Sequence, residues 1–193
     1  MKIGVLALQG AFAEHIVMLR RLGVAAAEVR LAAHLDALDG LIIPGGESTT
    51  IGKLATDFGL IEPLRRFGQD RAIWGTCAGA IFLARTVVGR AQPLLGLMDI
   101  TVTRNAFGRQ IDSFETDLDL SGFGEGMADQ PPYHAVFIRA PLINAVGPAA
   151  QAIVTLPDGR IVAARQGRLL ATSFHPELTD DTRCHAAFLT LAS

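Results

Sequence analysis

The sequence predicts an α/β protein with three layers: a mostly parallel, doubly wound sheet carrying an antiparallel extension. Three observations carry that expectation. Short apolar runs alternate with helix-spaced segments in the first half. Several extended runs follow in the second half with little helix between them. Hydrophobic residues make up 50% of the 193 and charged residues only 19%, enough apolar sequence to cover both faces of a buried sheet.

In chain order, KIGVLAL reads as a strand, QG as a turn and AFAEHIVMLRRLG as a helix. In that helix Phe12, Ile16, Leu19 and Leu22 recur at helical spacing, and Gly23 supplies the stop. AEVRL is a short β piece, and GLIIPGG a continuous apolar strand. One helix is expected from about Thr50 to Phe67, with interruption near Gly59 and Pro63. AIWGTC is another buried strand and runs straight into AGAIFLARTV, which is helical in pattern. ITVTRN, AVFIRAP, QAIVTLPDGRIVAARQG and LLATSFHP read as strands, with Asp158-Gly159 as a hairpin signal. TDDTRCHAAFLTLA closes the chain as a helix. No repeat, low-complexity tract or linker interrupts this order, so residues 1–193 are expected to form one domain.

Bulk properties exclude several functions. A net charge of −2 with no basic stripe leaves no nucleic-acid footprint. Lys2, the apolar run to Leu8 and Ala11-Phe12-Ala13 imitate an export signal, but that run is shorter than the ~7–15 residues a signal core needs. It reads as the first strand instead. No run approaches the ~18 apolar residues of a membrane span. Cys77 and Cys184 cannot build a disulfide framework, and no CxxC pair offers a zinc site. The expectation is a cytoplasmic protein without metal or cofactor.

In open α/β sheets, sites form beyond the carboxyl ends of the strands. Gln9-Gly10, Gly45-Gly46-Glu47-Ser48, Cys77 and His175-Pro176-Glu177 all meet that condition. Cys77 is the sharpest of them. A strand, Gly-x-Cys-x-Gly and a helix form the cysteine version of a nucleophile elbow, in which Gly75 and Gly79 leave room for a tight turn. The helix N-terminus favours thiolate over thiol, and the backbone N–H of Ala78 can hold an oxyanion. A lone cysteine is more often a buried structural residue. What raises Cys77 above that is a base within reach: His175 at a strand end, followed by Pro176 and Glu177. Residues i and i+2 of an extended segment face one side, and proline keeps its predecessor extended. Glu177 can then hold one imidazole nitrogen while the other serves Cys77.

PGGESTT contains a decoy. Gly46 to Gly52-Lys53 imitates a phosphate loop, but its glycines are spaced one residue too far and Leu54 stands where Ser or Thr is needed. Two glycines after a strand instead allow the Gly46 N–H to serve as a second oxyanion donor, with Glu47 and Ser48 holding a polar substrate head. Arg104, Arg109 and Arg139 are candidate carboxylate clamps, although each alone is more often a surface arginine. His15, His34, His134, Cys184 and His185 read as structural.

With PGGESTT, GTCAG and SFHPE in this order, the chain resembles the class I (triad) glutamine amidotransferases. LALQGAFAEH, RNAFGRQIDSFE, FIRAP and TSFHPELTDDTRCH narrow the resemblance to the PdxT-type glutaminase subunits of pyridoxal 5′-phosphate synthase. The resemblance implies hydrolysis of L-glutamine to glutamate and ammonia, with no cofactor. It also implies delivery of the ammonia to a PdxS-type synthase subunit that builds pyridoxal 5′-phosphate (vitamin B6), twelve glutaminases decorating a synthase dodecamer. At matching positions it makes Cys77 the nucleophile and His175 and Glu177 its relay. Glutamine would be held by Gly46, Glu47, Ser48, Arg104, Ile138 and Arg139. Gln9 and the GAFAEH segment, on the same active edge, are expected at or near the synthase contact. The alternative is an amidotransferase subunit of another synthase, of the imidazole glycerol phosphate type. More distant rivals are a cysteine hydrolase or thiol sensor on the same sheet, and a non-catalytic scaffold.

Overall fold

The computed structural model describes residues 1–89, 91–104 and 113–193. In chain order the described elements are β1 (Lys2–Leu6), α1 (Phe12–Arg21), β2 (Ala25–Val29), β3 (Gly40–Ile43), α2 (Ser48–Asp57), α3 (Ile61–Asp70), β4 (Ala72–Thr76) and α4 (Ala78–Leu83). There follow β5 (Ala84–Val88), β6 (Met98–Thr103), β7 (Ser113–Leu118), β8 (Tyr133–Ile138), β9 (Leu142–Val146), β10 (Gln151–Thr155), β11 (Ile161–Gln166), β12 (Leu169–Thr172) and α5 (Arg183–Ala192).

Five strands form the parallel part of the main sheet, in the order β2-β1-β3-β4-β12. The chain lays β2 outside β1, then returns to place β3 and β4 on the other side. That reversal is the switch point at which open sheets bind ligands. From β12 the sheet continues through β11, β9 and β6 in antiparallel pairings, and β5 closes the edge parallel to β6. β10 pairs antiparallel with β11, while β7 and β8 form a separate two-stranded ribbon. The mixed sheet with helices on both faces is the α/β architecture expected. The Asp158-Gly159 hairpin is present too: Gly159 adopts φ +86° and its N–H donates to the Leu156 carbonyl at 2.9 Å.

Alternation along the strands explains why both faces are apolar. Ile3, Val5, Ile42 and Trp74 point to one core, with Ile16 and Leu19 of α1 and Cys184 and Phe188 of α5. Leu6, Leu41, Ile43 and Ile73 point to the other, against Ile51, Ala55 and Leu64 of α2 and α3 and the whole of α4. None of the described helices is long and apolar enough to cross a membrane.

Three local expectations need correction. The helix expected from Thr50 to Phe67 is two helices, α2 and α3, with Gly59 at φ +64° in the break. Pro63 falls in the first turn of α3, where its missing N–H removes no intrahelical bond. AGAIFLARTV is helical only to Leu83; Thr86, Val87 and Val88 lie in β5, paired to β6, where branched side chains fit better than on a helix. SFETDL and LINAV, not singled out as strands in the sequence, form β7 and β9.

Candidate active site

Cys77 sits between β4 and α4 with φ 48° and ψ −106°, a conformation that costs a non-glycine residue about 1–3 kcal/mol. The surroundings enforce it. Its N–H donates to the Thr172 carbonyl of β12 at 2.8 Å, and its own carbonyl accepts from the N–H groups of Ala80 and Ile81 at 3.1 and 3.3 Å. The flanking glycines are required sterically: a Cβ on Gly75 would lie 2.5 Å from the Gly79 carbonyl carbon, and one on Gly79 would strike the Ile43 carbonyl. The helix behind Cys77 has only six residues, shorter than the sequence pattern suggests. Cys77 is 6% exposed, and its Sγ lies 3.9 Å from the Ile138 carbonyl.

β12 ends at Thr172, so His175 stands three residues beyond the strand rather than in it. Its N–H donates to the Val136 carbonyl of β8 at 2.8 Å. Pro176–Leu178 form one 3₁₀ turn, not the extended segment anticipated, and the turn brings the Glu177 carboxylate back under the ring. Glu177 Oε1 accepts from His175 Nδ1 at 2.7 Å, leaving Nε2 for Cys77. Burial opposes charge on His175. Hydrogen bonds with Cys77 and Glu177 outweigh it and push its pKa up to about 10. Burial would likewise raise the Glu177 carboxyl, but the imidazoles of His15 and His175 hold it below the usual range.

Cys77 and His175 open onto a cleft of about 290 Å³ that is also lined by Gly46, Glu47, Ser48, Ala78, Arg104, Ile138 and Arg139. Every candidate residue read from the sequence faces this one space, except Glu177 behind His175 and Arg109, which lies outside the described residues. Larger hollows beside Gln151 and Arg165, and beside Phe67 and Arg71, contain no nucleophile paired with a base.

The polar side of the cleft is held by its own hydrogen bonds. Glu47 caps α2 by accepting from the Thr50 N–H at 2.8 Å and from the hydroxyls of Thr49 and Thr50. Its slight burial works against ionisation, yet these bonds hold its pKa at about 2. Arg104 donates to Glu47 Oε1 at 2.7 Å and to Gln92 Oε1 at 3.1 Å, and the Ser48 hydroxyl reaches the same Gln92 oxygen at 3.4 Å. The Gln9 side chain accepts from the Glu47 N–H at 2.7 Å, and a Cβ on Gly46 would collide with it.

Sequence reasoning missed Gln92, Ile81 and His15. Gln92 lies outside every motif, and Ile81 reads as an ordinary apolar helix residue. His15 carried a usable signal: it sits beside Ile16 and four residues before Leu19 on the buried face of α1, where a histidine needs a partner. Its hydrogen bonds go to His185 Nε2 at 2.9 Å and to the Thr76 hydroxyl at 3.2 Å, and Glu177 Oε2 lies 3.4 Å from Nε2.

Similarity to known proteins agrees with the architecture. The model of the SNO glutamine amidotransferase family matches residues 5–192. The chain is 60% identical to pyridoxal 5′-phosphate synthase subunit PdxT of Herpetosiphon aurantiacus, over 99% of this chain and 100% of that protein. It is 58% identical to the subunit of the same name from Deinococcus radiodurans, over 100% and 97%. A crystal structure of a glutamine amidotransferase superposes with a TM-score of 0.91 at 51% identity, over 98% of each chain. PurLQS from Thermotoga maritima, with a TM-score of 0.68 at 16% identity over 100% and 98%, shares the fold alone. The chain belongs to the SNO glutamine amidotransferase family.

Proposed function

We propose that this chain is the glutaminase subunit of a pyridoxal 5′-phosphate synthase and hydrolyses L-glutamine through Cys77, His175 and Glu177. The observation that carries this reading is the seat of Cys77. It is a strained strand-end cysteine sharing a cleft with an imidazole whose far nitrogen is 2.7 Å from a buried carboxylate. The family and the names of the relatives support the substrate and the partner.

The chemistry follows from the groups in the cleft. The Cys77 thiol gives its proton to His175, and sulfur attacks the side-chain amide carbon of glutamine. The oxyanion so formed is held by the backbone N–H groups of Gly46 and Ala78. The imidazolium, held by Glu177, keeps the proton until the amide nitrogen takes it. Ammonia leaves and a thioester remains. His175 then takes a proton from water; the resulting hydroxide attacks the thioester, releasing glutamate and restoring the thiol. Glu177 holds the ring in the orientation that both steps need. Glu47, ionised in the cleft, suits the substrate ammonium. Arg139 and Arg104 suit its carboxylate, with Ser48 and Ile138 framing the head group.

The ammonia passes to a PdxS-type synthase subunit, with twelve glutaminases around a synthase dodecamer, and activity depends on that partner. Gln9 supports the dependence, because one side chain links the segment before α1 to the Glu47 N–H beside the oxyanion turn. Two free cysteines suit a reducing cytoplasm. The test is ammonia release from glutamine with the synthase present. Cys77→Ala is expected to lose at least ~10⁴-fold in kcat while keeping its fold and its partner. Wild-type glutamate release by that variant would overturn the assignment.

A further inference from the structure

We infer that His15 is a positioning residue that clamps Glu177 from behind and so fixes His175 for its work on Cys77. The inference rests on the triad reading above. Glu177 lies between two imidazoles. Its Oε1 meets His175 at 2.7 Å, while its Oε2, which has no hydrogen-bond partner among the described residues, lies at an ion-pair distance of 3.4 Å from His15 Nε2. His15 is wholly buried. Its Nε2 also lies 3.2 Å from the hydroxyl of Thr76, the residue before Cys77, and its Nδ1 lies 2.9 Å from His185 Nε2. One ring therefore touches both the carboxylate and the strand end that presents the nucleophile.

The direction of the proton chain follows from what each neighbour can accept. Burial pushes both His15 and His185 down, so each is neutral and carries one ring proton. A carboxylate only accepts. If His15 carried its proton on Nδ1, the Nε2 lone pair would face Glu177, and His185 would bury a donor Nδ1–H without a partner. The opposite arrangement avoids both costs: His185 Nε2–H donates to His15 Nδ1, and His15 Nε2–H donates to the Thr76 hydroxyl with its positive end beside Glu177 Oε2. Of the nitrogens of the two neutral rings, only the acceptor His185 Nδ1 then lacks a partner among the described residues. Trp74 packs edge-on against both rings, at 5.9 and 5.0 Å between centroids, and keeps them from turning. The segment leading into α1 also braces the other half of the site, since the Ala11 N–H donates to the Gly45 carbonyl at 3.0 Å.

Three substitutions separate clamping from mere packing. The amide nitrogen of His15→Gln reaches where Nε2 stood, that of His15→Asn only where Nδ1 stood, and His15→Phe keeps a ring without a donor. In the complex with the synthase subunit, Asn and Phe are expected to lower kcat on the order of 10–100-fold, with the KM for glutamine within ~2-fold. Gln should stay within ~3-fold of wild type. Alkylation of Cys77 by a glutamine-like electrophile should slow in the same order. The inference is overturned if Asn and Gln behave alike, whether both active or both impaired; that pair decides the matter even if Phe fails to fold. Cys77→Ala is the control. If it still turns over glutamine, the triad reading itself has failed; if it is dead while His15→Asn is fully active, only the clamp has.

Discussion

The two walls of the cleft are built on different terms. On the parallel wall, Cys77, His175 and Glu177 are buried just beyond strand ends, and backbone bonds to Thr172 of β12 and to Val136 of the β7–β8 ribbon fix the first two. On the antiparallel wall, Arg104 follows β6, while Ile138 and Arg139 at the end of β8 are exposed, with Arg139 held at φ 44°. The difference teaches where each task belongs. Proton transfer tolerates little displacement, so its groups stand where packing on two faces immobilises them. On the proposed reading a charged head group is met there by longer side chains, Arg139 exposed and Arg104 already bonded to Glu47 and Gln92.

The sharpest way to break this contrast is to strike the buried wall without changing its shape. Glu177→Gln keeps the volume but replaces an acceptor-only carboxylate with an amide that can present a donor to His175. A kcat loss of roughly 10²–10⁴-fold is expected, with the KM for glutamine nearly unchanged. Steady-state kinetics with the synthase present decide the point. A loss below ~3-fold would mean that His175 is oriented by other contacts.

The exposed wall should respond through binding instead. Arg104→Ala removes the donor bonded to Glu47 and Gln92, and with it the charge that suits a substrate carboxylate. The expected cost is about 10–100-fold in kcat/KM, carried mainly by KM. If kcat fell and KM held, Arg104 would belong with the chemistry, and the division between the walls would be wrong.

The same division governed what the sequence made legible. Strands covered on both faces, such as GLIIPGG and AIWGTC, are continuous apolar runs, and their ends marked the stretches that meet in the cleft. Elements of the extension were harder to read. β7 is nearly all half-exposed or exposed, and β9 has one fully buried residue, so neither shows a clean apolar signal. β5 was hidden because its pattern continues that of α4; its strand state comes from pairing with β6, a long-range contact that no local window contains. Gln92 and His15 were missed for a related reason. What each does depends on a partner outside any local window, Arg104 twelve positions away for one and Glu177 near the other end of the chain for the other. A histidine on an apolar helix face announces only that some partner exists.

Two histidines give the smallest and cleanest comparison, because each lies against acidic groups. His134, on the ribbon, is bonded to Glu115 and Asp117 at the exposed surface, and those bonds raise its pKa. His175 is 8% exposed, and there burial resists the charge while Cys77 and Glu177 raise the pKa to about 10. A folded-state value above the unfolded ~6.5 means that the native protein binds the proton more tightly. The stabilisation is therefore complete below pH ~6.5 and disappears as pH rises through about 10. Urea unfolding of wild type and His175→Asn across that window should show the stability gap shrinking as pH rises. His134→Asn should track wild type throughout, because solvent and salt screen an exposed pair. A gap at His175 that stays constant or widens with pH would remove the protonated imidazole from the native cleft. Proton transfer from the Cys77 thiol to His175 would then have to wait for the attack on glutamine, with the imidazole unprotonated until that step.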